Sequence, residues 1–192
     1  MNEESPVDRI VGERLRSLRK ARDMPIEALA RASERSIGYV SQIERGLSSP
    51  TLRDVAVFAR VLEVPFVELL KQPAELESDE PVRFDADRSS VSFRGTGIRK
   101  RILAPRNRGA IDFYLMEIEI GGTTGATPYS HDGEEAGFVL KGMIQLNVGE
   151  RQYRLSRGDS FRFRSRIEHQ FSNRGDEPAE VLWINVASSR TR

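Results

Sequence analysis

Apolar residues recur at helical spacing through the first third of the chain. The stripe from Ile10 to Leu18 predicts a helix that ends near Arg22. Residues 26–46, IEALARASERSIGYVSQIERG, hold two apolar stripes around a polar stretch, which predicts two short helices and a tight turn. Ser49-Pro50 then marks the start of a fourth helix, since serine caps helices and proline suits the first helical position. A last short helix begins at Pro65, so the pattern predicts a compact all-α domain of five helices.

Apolar and polar residues alternate in the remainder of the chain. Residues 111–120, IDFYLMEIEI, follow this period most clearly, and similar short segments continue as far as Val186, separated by turns that contain glycine. Many short strands at regular spacing are typical of an antiparallel sandwich or barrel. Residues 72–84 are rich in proline and acids, as in an exposed connector. We therefore predict two domains, an α domain over 1–71 and an all-β domain over 85–192, joined by a linker over 72–84.

Composition restricts the classes of function. The 192 residues include no cysteine, which excludes disulfides, thiolate metal sites and cysteine nucleophiles. No apolar run approaches the roughly 20 residues that a membrane-spanning helix needs. The start, MNEESPVDRI, lacks the basic and then apolar pattern of a secretory signal. We expect a cytoplasmic protein with no membrane partner.

Positive charge is concentrated where the helix-turn-helix pattern lies. Residues 9–53 contain ten lysines and arginines and five acidic residues, although the whole chain has a net charge of only +1. A basic surface replaces counterions on DNA phosphates, and a short helix presented by a tight turn fits the major groove. Solvated helices also carry many arginines, so charge alone leaves DNA binding and an ordinary surface equally open.

The segments LARAS, GYVSQIERG and SSPTL carry a family resemblance. With them, residues 9–70 resemble the lambda-repressor-like, xenobiotic-response-element (XRE) type of helix-turn-helix. The resemblance implies that a reading helix begins at Ser36 and enters the major groove. It also implies that five residues face DNA: Arg35, Ser36, Ile37, Tyr39 and Gln42. Gln42 suits an adenine edge and Ile37 a thymine methyl, while Ser36 or Tyr39 suits a phosphate.

Plainer interpretations of the same segment stay open. Ser36 can simply cap its helix, Tyr39 can pack against neighbours, and Glu44 with Arg45 can form a surface pair. The turn also departs from the family pattern, because Glu34 stands where the family usually has glycine. That position needs a left-handed backbone, which costs a residue with a side chain roughly 1–2 kcal/mol. Glu34 therefore predicts a strained or altered turn.

The chain has only two histidines, and both lie in the β domain at informative positions. Residues 85–187 resemble a cupin, a small jelly-roll β-barrel whose first motif reads HxHx3Ex6G. Here His131 and Glu135 follow that spacing, with Tyr129 in place of the first histidine, and His169 falls in the second motif. The resemblance implies a divalent metal, Zn, Fe, Mn or Ni, held by His131, Glu135 and His169. A barrel without metal, which hydrogen-bonds an organic ligand through the same residues, is the alternative.

The run TTGATPYSHDGEEAGFVLKG adds a closer resemblance, to repressors of the putrescine-utilisation type, which join such a helical domain to a cupin. The resemblance implies a sensor of a small-molecule effector. Five residues are predicted to bind this effector: Tyr129, His131, Glu134, Glu135 and His169. Acidic groups beside an aromatic face suit an ammonium ligand, so we expect a small amine or amino-acid-like metabolite. Acids near Gly133 can equally belong to an exposed turn.

These features predict a transcriptional regulator without catalytic residues that binds double-stranded operator DNA. A homodimer is expected, because one short reading helix covers few bases and two-fold proteins read half-sites about 34 Å apart. Repression rather than activation is implied by the resemblance alone. Two alternatives stay open. One is a metal-dependent cupin enzyme, an oxygenase or isomerase, with a fused autoregulatory DNA-binding domain, and the other is an interaction protein that has no effector.

Overall fold

The computed structural model of the chain describes residues 6–70, 81–82, 84, 90–93, 96–103 and 110–186. Residues 6–70 contain four α-helices, namely α1 (Pro6–Lys20), α2 (Ile26–Ala32), α3 (Ile37–Glu44) and α4 (Leu52–Val61). The prediction of a fifth such helix is corrected, because Phe66–Leu70 forms a 3-10 helix. Its five residues make less than two turns, a length at which the tighter 3-10 form is common. Most of the predicted linker lies outside the described residues, so the domain boundaries stay predictions.

Side-chain caps fix the starts of α3 and α4. Ser36 accepts a hydrogen bond from the Tyr39 amide at 3.1 Å and so caps α3. The Thr51 hydroxyl accepts from the Asp54 amide, while the Asp54 carboxylate accepts from the Thr51 amide. This reciprocal capping box satisfies two backbone donors at once. The prediction that Ser49 caps α4 is therefore wrong, because Thr51 is the N-cap residue.

The helical core forms where α1 and α3 meet. Gly12 of α1 lies so close to α3 that a Cβ atom there would collide with the backbone carbonyl of Ile43. The side chains of α1 to α4 that fill the space between the helices are fully buried: Leu15, Leu29, Val40, Ile43, Leu52 and Val55. Removing this apolar surface from water supplies most of the stability of the domain. The packing holds α2 and α3 as one unit and leaves one side of α3 in solvent.

The second part of the chain consists of antiparallel strands. They are β1 (Ser90–Phe93), β2 (Ile98–Ile102), β3 (Ile111–Ile118), β4 (Glu134–Lys141), β5 (Met143–Val148), β6 (Arg151–Ser156), β7 (Ser160–Arg164), β8 (His169–Ser172) and β9 (Ala179–Val186). A six-stranded sheet has the order β1-β2-β3-β9-β4-β7, and a three-stranded sheet has the order β6-β5-β8. The prediction of an antiparallel all-β domain is confirmed for the described residues.

The two sheets enclose a common interior, which we call the β-domain interior. Trp183 of the larger sheet packs on Phe171 of the smaller one, with ring centroids 4.6 Å apart. Val139, Ile144 and Leu146 are almost completely buried around them. Alternation along each strand turns every second side chain toward this interior. Among the described residues, no helix is both long enough and apolar enough to cross a membrane.

Candidate DNA-reading surface and histidine site

α3 buries one side and presents the other to solvent. Val40 and Ile43 are fully buried, whereas Ile37 is 49% exposed. Gln42 and Ser36 are exposed as well. Three of the five residues predicted to face DNA thus lie at the surface of this helix or at its N-terminal cap. An exposed helix side bounded by a tight turn is the geometry with which helix-turn-helix proteins enter the major groove.

The other two predicted DNA-facing residues are held by one carboxylate. Arg35 Nε donates to Asp54 Oδ1 at 2.8 Å, and the Tyr39 hydroxyl donates to Asp54 Oδ2 at 2.8 Å. Asp54 is 3% exposed and belongs to α4. Burial by itself raises the pKa of Asp54, but the hydrogen bonds from Thr51, Arg35 and Tyr39 outweigh it and lower the pKa. The ionised carboxylate therefore fixes the start of α3 on α4.

Glu44 does not form the predicted surface pair with Arg45. It is buried and accepts two hydrogen bonds from the Arg19 guanidinium, at 2.6 and 2.8 Å. Such a bidentate pair gives geometric specificity, and it ties the end of α3 to α1. Arg45 is exposed and lies two helical turns after Ile37, on the same side of α3. That spacing is the sequence signal that could have added Arg45 to the reading surface.

The turn between α2 and α3 has the unusual backbone that the sequence predicted. Glu34 has φ of 55°, in the left-handed region. The side chain is exposed, so no packing favours glutamate at this position. Hydrogen bonds from the amides of Glu34 and Arg35 to carbonyls of α2 close the turn. The left-handed backbone of the turn is retained, and it lowers the stability of the folded domain because Glu34 has a Cβ atom.

His131, Glu135 and His169 converge in the β-domain interior. The ligand-type atoms of these three residues all lie within 4.8 Å of one another. Glu135 Oε1 is 2.6 Å from His131 Nε2 and 3.5 Å from His169 Nε2. Trp183 Nε1 donates to the other carboxylate oxygen of Glu135 at 2.8 Å. The three residues are close enough to share one metal ion, as two imidazoles and a carboxylate.

The hydrogen bonds of the two imidazoles leave their Nε2 atoms facing the carboxylate. His131 Nδ1 is 3.0 Å from the carbonyl of Asp132, and His169 Nδ1 is 2.8 Å from the carbonyl of Ile167. A carbonyl only accepts, so each Nδ1 carries a proton, and a neutral imidazole of this tautomer has a lone pair on Nε2. His169 Nε2 is buried and has no hydrogen-bond partner among the described residues. Lone pairs aimed at a carboxylate need a cation between them, either a proton or a metal ion.

The pKa values of Glu135 and Tyr129 indicate that Glu135 could bind a metal ion as a carboxylate, whereas Tyr129 is not a fourth metal ligand. Burial raises the pKa of Glu135, but the side chains of His131 and His169 beside it outweigh that effect and lower the pKa far below its usual range. Burial, and then the charge of Glu135, raise the pKa of Tyr129 well above 10, so its hydroxyl stays protonated. The Tyr129 ring packs on His169 with centroids 4.4 Å apart. Tyr129 therefore forms an aromatic wall of the site, and a phenol is a weak metal ligand.

Glu134, predicted to bind the effector, points away from this site. Neighbouring residues of a strand face opposite sides, so Glu134 lies outside when Glu135 lies inside. Glu134 Oε2 accepts from Arg162 at 2.6 Å, and its side chain is 39% exposed. Asp132 likewise accepts from Arg166 at the surface. The structure thus brings together Tyr129, His131, Glu135 and His169 but not Glu134.

Two residues that sequence reasoning missed also reach the site. Phe66, from the 3-10 helix of the helical part, stacks on His131 with ring centroids 4.7 Å apart and an interplanar angle of 16°. Lys100, on β2, is 4% exposed, and its Nζ lies 5.2 Å from the centroid of the Phe66 ring. Lys100 alternates with Ile98 and Ile102, and this period is the sequence signal that could have predicted an inward side chain. The position of Phe66 needs the tertiary structure, because it crosses from one domain to the other.

Comparisons with known protein families agree with both parts of the structure. Residues 10–71 match the helix-turn-helix domain family. Residues 114–185 match the cupin domain family. Together the two matches cover the described helices and most of the strands.

Known proteins of similar sequence or structure match the chain over most of its length. The HTH-type transcriptional regulator PuuR of Escherichia coli (strain K12) is 26% identical over 162 residues, which cover 84% of this chain and 86% of PuuR. An HTH_3 family transcriptional regulator from Vibrio cholerae superposes with a TM-score of 0.72 at 24% identity, over 94% of this chain and 96% of that one. Fe(II) HppE superposes with a TM-score of 0.50 at 22% identity, over 93% of this chain and 99% of that one, which is a likeness of fold alone.

Proposed function

We propose that this chain, which belongs to the helix-turn-helix transcriptional regulators that carry a cupin domain, is an operator-binding repressor controlled by a small molecule in its β-domain interior. The stacking of Phe66 on His131 is the observation that carries the proposal. It places a residue of the DNA-binding part in contact with a residue of the candidate effector site. A ligand or metal that moves the His131 ring therefore acts directly on the helical domain.

DNA recognition is assigned to the exposed side of α3. Gln42 and Ile37 are free to contact base edges, as amide and methyl groups do in a major groove. Ser36 lies at the N-terminal end of the helix, where a phosphate is favoured. Arg35 and Tyr39 keep their bonds to Asp54 and position this end of the helix, and the remaining guanidinium N–H groups of Arg35 suit a phosphate.

A homodimer is proposed, with the outer face of the larger sheet as its contact surface. In sheet register, the central strands β3, β9 and β4 carry apolar outward residues: Ile111, Phe113, Leu115, Leu182, Ile184, Val186, Phe138 and Leu140. Phe138 and Leu140 are each 42% exposed, and Ile111 is 61% exposed. Ion pairs flank this centre, Arg99 with Glu117 on one side and Arg162 with Glu134 on the other. An apolar centre with a charged rim is the usual anatomy of an interface.

The size of this face suits a second copy of the chain. Three strands of eight residues and three of four or five, spaced about 4.8 Å apart with about 3.4 Å per residue, give roughly 600 Å² of sheet face. A stable interface needs about 800 Å² per partner, which loops at the rim can complete. The requirement for two half-sites on DNA argues for the same two-fold assembly.

The effector is proposed to bind among Tyr129, His131, Glu135 and His169. Tyr129 and Phe66 offer aromatic faces, and Glu135 offers a buried negative charge. This environment suits a small amine or amino-acid-like metabolite. Linkage requires that operator DNA alters the affinity for the effector by the same factor by which the effector alters the affinity for DNA.

A divalent metal is proposed as a further component of the site. His131, Glu135 and His169 would hold it, since their ligand atoms converge and the orphaned His169 Nε2 is a lone pair without a partner among the described residues. When bound, the ion would act as a Lewis acid that orients a ligand oxygen or nitrogen. Two imidazoles and one carboxylate leave coordination positions open, a pattern that suits iron as well as zinc.

The same triad favours a second candidate function, a metal-dependent enzyme fused to its own DNA-binding domain. Open coordination positions beside an aromatic wall can hold a substrate as well as an effector. Metal-loaded protein incubated with amines and amino acids distinguishes the two by mass spectrometry. The repressor leaves each compound unchanged and alters its own DNA affinity, whereas the enzyme consumes one of them.

The coupling is tested on an operator fragment selected from random duplexes, with fluorescence anisotropy as the readout. Operator affinity of the wild type should change at least fivefold on addition of the divalent ion or of the best compound in a panel of amines and amino acids. Phe66→Leu keeps an apolar side chain but loses the stack, so operator and ligand should both bind while the change in affinity disappears. Phe84→Ala, at a site 70% exposed, is the control and should respond as the wild type. A Phe66→Leu variant with an unchanged response contradicts the proposal.

A further inference from the structure

Lys100 is a buried cation without a hydrogen-bond or ion-pair partner among the described residues. Among the residues whose burial is described, it is the only buried lysine or arginine. It alternates with Ile98 and Ile102 on β2, so its side chain enters the β-domain interior. No hydrogen bond or ion pair joins its Nζ to any other described residue. The Nζ atom instead lies 4.9 Å from the Tyr114 ring centroid and 5.2 Å from that of Phe66.

The carboxylates of the interior do not neutralise this cation by contact. Glu135 attracts Lys100 electrostatically, but its oxygens are engaged by His131 and by Trp183. Asp112 also attracts Lys100 from β3. Burial lowers the pKa of Lys100 to about 8, and these two acids oppose that effect, so the ammonium group stays charged at neutral pH. Contact with aromatic faces compensates only part of the lost hydration of such a group.

We infer that the effector of this protein carries a carboxylate, which binds to the ammonium group of Lys100 in the β-domain interior. The inference deepens the proposed function and rests on it, since it concerns the effector of the same site. Nε2 of His169 and Oδ1 of Asn185 are buried in the same interior and have no hydrogen-bond partner among the described residues. Asn185 is opposite Glu135 in the sheet register. These polar groups are available to a second part of the ligand.

A single ammonium group favours a carboxylate over a phosphate. A phosphate near neutral pH carries up to two charges and three strong acceptor oxygens, and proteins hold it with several N–H donors. Here one cation is buried among the described residues, and its three N–H donors match the two oxygens of one carboxylate. The ring of Tyr129 lies elsewhere in the interior, and its aromatic face suits an ammonium group. Of the two effector classes proposed above, the structure therefore favours the amino-acid-like one.

The test measures thermal stabilisation of the full chain by matched compounds. The probes are straight-chain amino acids of three to six carbons, the corresponding primary amides, the corresponding diamines, and inorganic phosphate. At least one amino acid should raise the melting temperature of the wild type and bind at least tenfold more tightly than its amide or diamine. Lys100→Met should remove that preference. Lys141→Met, the same change at a lysine whose side chain is 53% exposed, is the control and should retain it.

A measurement without ligand separates a binding role from a structural one. Methionine fills a similar volume without a charge, so ligand-free Lys100→Met should melt at least as high as the wild type, as expected when a buried unpaired charge is removed. A lower melting temperature would assign Lys100 to the fold and contradict the inference. Equal amino-acid binding by Lys100→Met, a preference for diamine or phosphate, or no amino-acid binding at all also overturns it.

Failure of the inference and failure of the proposed function give different results. If diamines release the wild type and Lys100→Met from the operator alike, the repressor function stands and the carboxylate assignment is wrong. If amino acids bind through Lys100 but leave operator affinity unchanged, the carboxylate site stands and the regulatory function is wrong.

Discussion

On the proposed reading surface, Gln42 is the residue of α3 whose side chain suits an adenine edge. Replacement by alanine would remove both proposed amide hydrogen bonds to the base, which are worth about 1–3 kcal/mol of discrimination. We expect Gln42→Ala to bind its selected operator about 5- to 100-fold more weakly and to lose preference at one base position of each half-site. Anisotropy titrations over a set of single-base operator variants measure both effects.

Gln152 supplies the control for this prediction, because it is exposed on β6, far along the chain from α3. Gln152→Ala should bind every operator variant as the wild type does. The slope of affinity against salt should stay the same for both variants, since neither change removes a phosphate contact. An unchanged base preference in Gln42→Ala would remove this residue from the reading surface.

The ionised carboxylate of Asp54 should contribute to the stability of the fold in a pH-dependent way. Its pKa is lower in the folded protein than its ordinary value of 3.8, so the contribution is complete above that pH and is lost as pH falls through the lowered value. Asp54→Asn should therefore unfold with about 2 kcal/mol less free energy than the wild type at pH 7. The difference should shrink at acid pH, as the pH falls through this lowered pKa and the wild-type carboxyl also becomes neutral.

Urea unfolding followed by circular dichroism at both pH values checks this prediction. Asp176→Asn, at an exposed position, is the matched control and should differ little from the wild type at either pH. A constant difference between wild type and Asp54→Asn across the pH range would show that the carboxylate charge contributes nothing.

Single residues were predictable from sequence where the signal is local. The capping role of Ser36 and the left-handed backbone of Glu34 follow from residue type and position, and the structure bears out both. Glu44 was assigned the wrong partner, because Arg19 is adjacent to it only after α1 packs on α3. Lys100 was missed because β2 is short and its flanking segments are weakly patterned. Contacts between distant elements leave no periodic signal in one sequence.

At the scale of elements, replacing two helical glycines by alanine should change the stability of the helical domain in opposite directions. Gly12 lies where α1 contacts α3, and a Cβ atom there collides with backbone, which cannot move as a side chain can. Gly12→Ala should therefore destabilise the helical domain by roughly 1–3 kcal/mol or more. Gly38 has nothing within 4 Å of the position of a Cβ atom. Gly38→Ala should stabilise it by about 0.5–1 kcal/mol, because alanine restricts the unfolded chain more than glycine does.

Thermal unfolding of the two alanine variants in the full chain measures the sign of each effect. The pair is its own control, since the residue change and the secondary structure are the same. A gain of stability in Gly12→Ala would mean that α3 does not lie against α1 as described, and a loss in Gly38→Ala would contradict the open space at that position. The sequence alone predicts both positions as helical glycines and does not separate them.

The turn that joins α2 to α3 carries a cost that substitution can remove. Glu34→Gly should stabilise the helical domain by about 1 kcal/mol, because glycine adopts φ of 55° without a Cβ penalty. Glu34→Ala keeps the Cβ atom and should gain nothing. Denaturation midpoints of the two variants, compared with the wild type, test the prediction, and equal midpoints for alanine and glycine would contradict it.

Elements were predicted best where a strong period and a cap coincide. The α2–turn–α3 segment and β3 were found from such patterns, and the structure has both. The start of α4 was predicted at Ser49-Pro50, because the sequence cannot decide between that signal and the Thr51–Asp54 capping box two residues later. The predicted fifth α-helix is a 3-10 helix in the structure. The sequence does not distinguish these two forms, because the choice depends on how few residues the helical core accommodates. The order of the nine described strands in two sheets could not be predicted from one sequence.

At the scale of the whole molecule, the outer face of the larger sheet predicts how two copies associate. Phe138, opposite Leu182 in the register of β4 and β9, is 42% exposed, so Phe138→Glu would place a charge on the proposed contact surface. Because a buried unpaired charge costs several kcal/mol, we expect the variant to be monomeric at micromolar concentration while its fold is retained. Sedimentation velocity of wild type and variant measures the association.

Loss of the dimer also has a consequence for DNA binding. Two joined reading helices gain affinity from their high effective concentration, so Phe138→Glu should bind a two-half-site operator at least a hundredfold more weakly, and a single half-site as well as the wild type does. Ile120→Glu, at a site 59% exposed just beyond the end of β3, is the control and should remain dimeric. A dimeric Phe138→Glu would exclude this sheet face as the contact surface. A monomeric wild type with full operator affinity would exclude the two-fold arrangement itself.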